Sequence, residues 1–272
     1  MPNSHLIFEE ETAQLRKGLF YVQNEVGLGH SEEVYHHAMM QWMDRQGIPF
    51  VSKSPEALLF DGELAYTFYP DLVVWDKITV ELKSVVRHLR EPEYVQLFNY
   101  LKKKNHRLGL LVNMGLDRVY VKRVVYEQPA FEWCEDWAAW RDCVEEDIRE
   151  LGSEVRDVLH RLYTEHQTGY GAEVVEALLR FAFQLHGLPF EVRPVAFGVY
   201  DGEKLGKTPL DCWLIEGRIL FVFTALFDDN QFNISRGLSF MRNLGVAWGL
   251  AVNFGKKNVQ ISGLSSPIRG GS

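Results

Sequence analysis

The stretch that decides the fold spans residues 69–83 and reads YPDLVVWDKITVELK. Two apolar segments flank a short polar turn, which is typical of a β-hairpin. Successive side chains of a strand point to opposite faces of the sheet, so Glu81 and Lys83 share one face. A three-residue loop over residues 75–77, or a bulge, places Asp71 opposite Glu81.

The alternative for this hairpin is a two-residue turn, which puts Leu72 opposite Glu81 and sends Asp71 to the wrong face of the sheet. We predict the longer loop, because it also gathers the apolar residues of both strands on a single buried face. These residues are Leu72, Val74, Ile78, Val80 and Leu82.

Length, charge and cysteine content limit the classes of protein to which the chain can belong. The chain has 272 residues, of which 46% are hydrophobic, enough for one large or two modest domains. A net charge of -8 argues against a broad basic surface for nucleic acid, but leaves room for a small basic groove. Cys134, Cys143 and Cys212 form neither a disulfide framework nor a zinc-ligand pattern. With no signal sequence and no long apolar run, we expect a cytoplasmic protein that does not enter the membrane.

Helices and short strands alternate around the hairpin. Apolar residues at helical spacing predict helices, and apolar segments between Gly, Pro and Asp-Gly turns predict strands. The pattern indicates an α/β fold with a central mixed β-sheet flanked by α-helices. The predicted helices cover residues 9–25, 31–46 and 91–105, and the predicted strands cover 49–53, 56–61, 108–112 and 119–125.

The chain repeats itself at an offset of 140 residues, without any gap. Turn glycines and strand residues coincide together, which chance at a single offset explains poorly. We predict two tandem units over residues 8–126 and 148–264, a connecting helix over 127–147 and a flexible tail over 265–272. Matching positions include Gly47 and Gly187, Asp61 and Asp201, Asp71 and Asp211, and Asn113 and Asn253.

Two smaller patterns have structural interpretations. The spacing of Trp133, Trp137 and Trp140 predicts one face of the connecting helix, packed between the units rather than stacked on bases. His36 and His37 have no evident carboxylate or cysteine partners at metal-ligand spacing, so we expect them to pack or to lie on the surface.

Two carboxylates and a lysine on one face of a hairpin form a site for a hard cation. Asp71 and Glu81 offer oxygen ligands that suit Mg²⁺ or Mn²⁺, and Lys83 can hold a water or a phosphate oxygen. This combination suits hydrolysis of phosphodiester bonds. The structural alternative is a solvated hairpin face with a weak cross-strand ion pair.

Three motifs of the first unit resemble those of one group of nucleases. Pro70-Asp71 and Glu81-Leu82-Lys83, with nine residues between them, resemble the signature of the PD-(D/E)XK nuclease superfamily. GHSEEVY at residues 29–35 resembles the GxxExxY family pattern, with Glu32 as its acid, and QLFNY at residues 96–100 resembles the QxxxY motif of RecB-like nucleases. The resemblance implies two tandem units of the restriction-endonuclease-like fold.

The resemblance also implies roles for the residues of the hairpin. Asp71 and Glu81 ligate a metal ion, with the backbone carbonyl of Leu82 as a third oxygen. Lys83 orients the attacking water and offsets charge in the transition state. Glu32 completes the acidic cluster, through a water or directly; in isolation it could equally be a first-turn helix acid.

Gln96 and Tyr100 lie on the helix after the hairpin. The resemblance implies that Gln96 holds Lys83 or the scissile phosphate, and that Tyr100 braces this arrangement or contacts the strand backbone. Either could instead be an ordinary helix or core residue. Basic residues near the hairpin and at the end of the helix could contact phosphates, although a lysine run is often only a solvated helix end. They are Arg87, His88, Arg90, Lys102, Lys103, Lys104, His106 and Arg107.

The second unit departs from the pattern where the chemistry lies. At the offset of 140, Asp211 matches Asp71. Phe221 then stands in place of the second carboxylate and Phe223 in place of the lysine. Two phenylalanines cannot bind a hard cation. We therefore predict a degenerate copy, kept for packing, for a pseudo-dimeric substrate surface or for a protein partner.

Together these observations favour a magnesium- or manganese-dependent nuclease that acts on DNA or RNA through a single site in the first unit. It would work as a pseudo-dimeric monomer or as a homodimer. A nucleic-acid-binding or protein-binding module that retains the nuclease fold without catalysis is the main alternative. A purely structural adaptor is a third possibility.

Overall fold

The computed structural model describes residues 6–141, 144–201 and 203–266. The predicted tail over 265–272 lies almost entirely outside the described residues. The chain divides into two compact units: the first holds the residues up to 128 except 59–66, which group with the second. Within the described residues, no helix is long and apolar enough to cross a membrane.

The first half of the chain builds a five-stranded mixed sheet in the order β1-β4-β5-β6-β7, with a separate two-stranded sheet of β2 and β3. The predicted α/β fold is confirmed, and each predicted helix and strand of this half is present, whereas β3 is a strand that the sequence pattern did not predict. The elements are α1 (Glu9–Val26), α2 (Glu32–Gln46), β1 (Phe50–Ser52), β2 (Glu56–Phe60), β3 (Glu63–Phe68), β4 (Leu72–Val74), β5 (Ile78–Lys83), α3 (Glu91–Lys104), β6 (Leu108–Asn113) and β7 (Tyr120–Val125).

The β4–β5 hairpin has the predicted register. Leu72 pairs with Val80 and Val74 with Ile78, so residues 75–77 form the connecting loop. The five apolar residues predicted to share a face all lie in one core cluster, with residues of α1 and α2 against them. The opposite face of the hairpin is left for the polar residues.

The connection from β5 to β6 runs through α3, and its direction decides which residues of α3 lie near Lys83. β5 and β6 are parallel, so α3 must run antiparallel to both. A close approach fixes this packing: a Cβ on Gly109 would lie 2.8 Å from Cδ1 of Leu97. The first turn of α3 therefore lies near the Lys83 end of β5, and its last turn lies near the Ile78 end.

The second half of the chain forms a six-stranded mixed sheet in the order β8-β15-β14-β13-β12-β9 and a two-stranded sheet of β10 and β11. From α4 onward its elements follow the same order as those of the first half. They are β8 (Glu132–Asp136), α4 (Glu146–His166), α5 (Ala172–Leu185), β9 (Phe190–Val192), β10 (Val195–Tyr200), β11 (Glu203–Pro209), β12 (Trp213–Ile215), β13 (Ile219–Ala225), α6 (Gln231–Leu244), β14 (Trp248–Phe254) and β15 (Asn258–Ser265).

The predicted connecting helix over 127–147 is wrong. Residues 132–136 form the strand β8, which pairs in parallel with the edge strand β15. A strand has period 2, so Trp133 and Glu135 share a face, and the Trp133 ring lies 5.1 Å from His160 and 5.2 Å from Tyr163 of α4. Pairing satisfies the exposed edge of β15, which a helix could not do.

The β10–β11 hairpin contains one more residue than β2–β3. Gly198 pairs with Gly206, but the next residue, Val199, pairs with Lys204. Leu205 is thus an extra, bulged residue on β11. The offset between the two halves therefore rises from 140 to 141 at this point, and the expectation of a match without any gap is wrong.

Candidate active site

Glu81 and Lys83 lie on the central strand of the first sheet. The side chain of Glu81 is only 2% exposed, and its Oε1 lies 2.7 Å from Nζ of Lys83. The other oxygen, Oε2, is buried and has no hydrogen-bond partner among the residues that the structure describes. A buried carboxylate oxygen without a partner is costly, which indicates that a ligand completes it.

Asp71 lies beside this pair and is held from several directions. Its Oδ2 accepts a hydrogen bond of 2.8 Å from the backbone N–H of Leu82. Its backbone carbonyl accepts a bond of 3.1 Å from the N–H of Lys53. Nε2 of His36 lies 3.1 Å from the same carbonyl, and because a carbonyl only accepts, this bond requires the His36 proton on Nε2. The carboxylate of Asp71 is therefore fixed against the middle of β5.

Glu32 reaches the same site from the first turn of α2. Its Oε2 lies 3.8 Å from Nζ of Lys83, and its side chain is 42% exposed. Of the residues with predicted catalytic roles, the structure thus brings Glu32, Asp71, Glu81 and Lys83 together. Their combined charge is negative, since one lysine faces three carboxyl groups.

This excess of carboxylate shifts the ionisation of the cluster. Burial, followed by the negative charge of Asp71, raises the pKa of Glu81 to about 8, while Lys83 opposes the shift. Burial also raises the pKa of Glu32. For Lys83, burial works to lower the pKa, but the charge and hydrogen bond of Glu81 outweigh it and the pKa is raised. Shifts of this kind are frequent at sites that bind cations or move protons.

The donor set fits a hard divalent cation. Carboxylate oxygens are the preferred ligands of Mg²⁺ and Mn²⁺, and the unpartnered Oε2 of Glu81 faces no competing donor among the described residues. A cation here would lower the pKa of Glu81 by favouring its ionised form. The N–H of Leu82 is committed to Asp71, and the role of its carbonyl as a metal ligand stays a prediction.

Gln96 and Tyr100 form a brace rather than part of the acidic cluster. Nε2 of Gln96 donates to the hydroxyl of Tyr100 over 3.0 Å, and that hydroxyl donates to the carbonyl of Tyr69 over 3.3 Å. Tyr69 lies between β3 and β4, so Tyr100 contacts the backbone that leads into the hairpin, and its contact with a strand stays a prediction. No hydrogen bond joins Gln96 to Lys83, both of which the structure describes, so that alternative is wrong. Contact of Gln96 with a phosphate stays a prediction.

The basic residues divide between the two ends of α3. Lys102, Lys103 and Lys104 lie in its last turn, at the Ile78 end of β5, whereas Arg90 caps its start near Lys83. A helix of 14 residues is about 20 Å long, so the lysines are remote from the acidic cluster. Their predicted phosphate contacts can involve only nucleic acid that extends well beyond the site.

Several of these basic side chains also have partners within the protein. Nζ of Lys104 lies 2.6 Å from Glu56, and burial lowers the pKa of Lys102 to about 8. His106 is buried, with Nδ1 3.0 Å from Thr79 Oγ1, and burial lowers its pKa, so its predicted phosphate contact is wrong.

Arg87, Arg90 and Arg107 complete the set of predicted phosphate-binding arginines. Arg87 forms an ion pair of 2.6 Å with Glu93, a carboxylate that also accepts the N–H of Arg90. The hydrogen bond from Arg87 lowers the pKa of Glu93 to about 2. Arg87 and Arg90 thus lie at the site end of β5, whereas Arg107 directly precedes β6 at the other end.

Asn113 holds the loop after β5. Its Oδ1 accepts the N–H groups of Val85 and Gly115, and its Nδ2 donates to the carbonyls of Val85 and Arg87. All of its side-chain hydrogen-bonding groups are therefore used. No motif of the sequence indicates this role of Asn113, although its position at the end of a buried strand was an available signal.

The contacts of His36 and His37 on α2 were not predicted from the sequence. Ligand atoms of Glu33, His36 and His37 lie within 4.8 Å of one another, although Lys53 forms an ion pair with Glu33. His36 lies one helical turn after Glu32, which is the spacing that places two side chains on one face. That spacing could have indicated that His36 faces the site.

The second sheet carries no counterpart of the acidic cluster on β13. In the parallel pairing of β5 and β6, Lys83 lies opposite Asn113. In the pairing of β13 and β14, Thr224 lies opposite Asn253. Thr224 therefore occupies the place of Lys83, and Val222, two residues earlier, occupies the place of Glu81.

The change of offset from 140 to 141 also changes which residue corresponds to Asp71. The backbone N–H of Lys53 donates to the carbonyl of Asp71, and the N–H of Arg193 donates to the carbonyl of Cys212. Cys212, and not Asp211, therefore stands at the position of Asp71. The side chain of Asp211 is 74% exposed and pairs with Arg236 over 2.8 Å.

Phe221 and Phe223 therefore face away from the position of the site. Phe221 is fully buried, and its ring lies 5.5 Å from Phe183 and 6.0 Å from Trp213. The prediction that these phenylalanines replace Glu81 and Lys83 is wrong, because a shift of one residue turns every side chain of a strand to the other face.

Comparison with known proteins agrees with the geometry of the first half. A protein-family model described as the PD-(D/E)XK nuclease superfamily matches residues 9–124. The similarity to this superfamily therefore lies in the first half of the chain. The crystal structure of an alkaline exonuclease from Laribacter hongkongensis is similar with a TM-score of 0.26 and 15% identity, covering 66% of this chain and 89% of that chain. No curated protein matches the chain significantly.

Proposed function

We propose that the first unit is a metal-dependent nuclease that hydrolyses phosphodiester bonds of DNA or RNA at a single site. The observation that carries this proposal is the buried Oε2 of Glu81, which has no partner among the described residues and lies in a cluster with Asp71, Glu32 and Lys83. In a nuclease superfamily domain, such an oxygen has the chemistry of a ligand for Mg²⁺ or Mn²⁺.

Each residue has a role in this proposal. Asp71, Glu81 and the carbonyl of Leu82 would hold the ion, with Glu32 completing the shell directly or through a water. A bound divalent ion polarises the phosphate and lowers the pKa of a coordinated water. Lys83 donates hydrogen bonds to the attacking water or to a phosphate oxygen, and its charge offsets the charge that develops on the phosphate.

We also infer that the chain is a tandem duplication of a GxxExxY-type unit whose second copy is degenerate. The common order of elements, and the pairing of Asn113 and Asn253 with equivalent strands, support this inference. Val222 and Thr224 offer no carboxylate, which supports a single site per chain. The second copy is then free to pack or to bind a partner.

Substitution of Glu81 by glutamine tests the function. Glu81→Gln keeps the shape but removes the charge that would bind the cation, so cleavage of labelled DNA and RNA oligonucleotides with Mg²⁺ or Mn²⁺ should fall by about 10²–10³ or more. Glu127→Gln, at an exposed position of the first unit, is the matched control and should cleave normally.

A metal titration by calorimetry separates the nuclease from a binding module without catalysis. The wild-type protein should bind Mn²⁺, and Glu81→Gln and Asp71→Asn should lose this binding while they keep the wild-type circular dichroism spectrum. Absence of binding in the wild type, or equal cleavage by wild type and Glu81→Gln, would contradict the proposed function.

A further inference from the structure

Two hairpins at the same place in the two halves differ in what covers their tips. Phe60 and Tyr200 each end the first strand of their hairpin, and Asp61 and Asp201 follow with similar left-handed φ angles of 50° and 52°. Phe60 is fully buried, whereas Tyr200 is 74% exposed. The first tip is covered and the second is not.

The covered tip belongs to the second compact unit, where α4 and α5 bind it by specific contacts. The carboxylate of Asp61 lies 2.5 Å from Arg161 and 3.1 Å from Nε2 of His186. The backbone N–H of Asp61 donates to Glu165 over 3.2 Å, and the Phe60 ring lies 5.9 Å from the His186 ring. A hairpin tip therefore has a defined receptor on a pair of helices.

The uncovered tip is unusually apolar for a surface hairpin. Val199 is 62% exposed and Leu205 is 72% exposed, in addition to Tyr200. Phe197 is 39% exposed, with Lys204 Nζ 4.5 Å from its ring centroid. Several exposed apolar side chains on one element indicate a binding surface.

The first unit has a matching pair of helices, α1 and α2, that present exposed apolar side chains. Tyr21 on α1 is 49% exposed and Val34 on α2 is 41% exposed, whereas Val174, which is 140 positions after Val34, is 1% exposed. We call this surface of α1 and α2 the receptor face. Its residues Tyr21, Glu25, Val34 and Gln46 lie 140 positions before Arg161, Glu165, Val174 and His186.

We propose that the β10–β11 tip of one chain docks on the receptor face of a second copy of the chain. In this contact the Tyr21 hydroxyl and the Gln46 amide donate to Asp201, replacing the donors that bind Asp61. Glu25 accepts the N–H of Asp201, and the ring of Tyr200 covers Val34.

A further pair of residues adds charge complementarity. The hydroxyl of Tyr66 donates to Glu173 over 3.0 Å at the covered tip. Once the bulge at Leu205 is counted, Lys207 takes the place of Tyr66, and Glu33 lies 140 positions before Glu173. The hydrogen bond of a neutral tyrosine at the covered tip is thus replaced by an attraction between a lysine and a glutamate in the docked pair.

The proposed contact joins a tip on one chain to a different surface on the next, so two chains can dock reciprocally or a row of chains can form head to tail. Each chain offers one tip and one receptor face. Two variants test this arrangement. Tyr200→Asp puts a charge on the apolar tip, and Tyr21→Asp puts a charge on the receptor face. Both positions are exposed, so both variants should fold. Leu185→Arg is the control, since it adds charge at another exposed position whose counterpart in the first unit is Arg45.

Sedimentation velocity across a range of protein concentrations gives the readout. The wild type and Leu185→Arg should self-associate, and each aspartate variant should raise the dissociation constant at least about tenfold. A one-to-one mixture of Tyr200→Asp and Tyr21→Asp should regain association as a heterodimer, because one intact tip meets one intact face. A contact of tip with tip, or of face with face, predicts no such rescue.

Three outcomes would overturn the proposal. The first is a wild type that stays monomeric at all concentrations, and the second is association that both aspartate variants leave unchanged. The third is a monomeric wild type whose affinity for a labelled oligonucleotide falls in Tyr200→Asp, which would assign the tip, with Lys204 and Lys207, to nucleic acid instead.

Discussion

The β4–β5 and β12–β13 hairpins occupy the same place in their sheets, yet one buries charge and the other does not. Glu81 and Lys83 lie on the central strand of the first sheet, and Val222 and Thr224 take their places in the second. Val222 is fully buried in a core cluster with Leu220 and residues of α6. The fold thus does not need charge at this position, so the charge of the first hairpin must be kept for a different purpose.

The largest expected difference between the hairpins is their dependence on pH. Burial raises the pKa of Glu81 to about 8 from an ordinary value of 4.5, so the folded state retains a proton that the unfolded chain releases. The stabilisation is complete below pH 4.5 and is lost as the pH rises to about 8, by on the order of 4–5 kcal/mol. Val222 has no ionisable group, so it contributes no such dependence on pH.

Urea unfolding of the wild type and Glu81→Gln at several pH values, without divalent cations, measures this loss. The free energy of unfolding of Glu81→Gln should fall much less between pH 5 and about 8 than that of the wild type. Parallel curves for the two proteins would show that Glu81 titrates normally and would remove the argument that burial dominates its ionisation.

A glutamate at Val222 should be the next most damaging change. The side chain is fully buried among apolar residues, and the place of the paired lysine is taken by Thr224. Val222→Glu should therefore lower the free energy of unfolding by about 3–5 kcal/mol in urea denaturation. Leu185→Glu, at an exposed position, should change it by less than about 1 kcal/mol. Equal effects would mean that the second hairpin can still accept a carboxylate.

The smallest effect is expected at Asp211. Its side chain is 74% exposed, and an exposed ion pair such as that with Arg236 contributes about 1 kcal/mol or less. Asp211→Asn should leave Mn²⁺ binding unchanged and shift the free energy of unfolding by no more than that amount. Asp71→Asn should abolish Mn²⁺ binding, as measured by calorimetry. Loss of Mn²⁺ binding in Asp211→Asn would restore the assignment of Asp211 as the counterpart of Asp71.

The register of the first hairpin was predictable because its two faces differ in chemistry. Only one loop length puts Asp71 beside Glu81 and keeps Leu72 and Leu82 buried, and that length is observed. The second hairpin offers no such signal. Residues 219–225 are almost entirely apolar, so either face can be buried and the period-2 pattern carries no information about register.

The one-residue change of offset in the second hairpin could not be seen in the sequence, because a shorter connection after the hairpin cancels it. Leu205 adds a residue before the hairpin, and the connection from Thr224 to Gln231 is one residue shorter than that from Lys83 to Glu91. Glycines and turns on both sides therefore still match at 140 positions. Only hydrogen bonds and strand pairing in three dimensions reveal the change.

The acidic cluster was predictable from motifs, but its surroundings were not. Glu32 comes to the site because α2 begins there, as its motif implies. The remoteness of the lysine run depends on the antiparallel course of α3, which follows from strand order and cannot be read from spacing along a helix. Strand β8 was not predicted, because the spacing of Trp133, Trp137 and Trp140 fits a helix as well as a strand followed by a turn.

The bulge at Leu205 bears on the evolutionary history of the chain. In the present register, an acidic site in the second half would need Cys212→Asp, Val222→Glu and Thr224→Lys. Each change alone brings a charge without its partner into or beside a packed interior, and selection would remove such an intermediate. If the second half descends from a functional copy, its loss of the site is in practice irreversible. Any future catalytic role for that half would have to arise on a different surface.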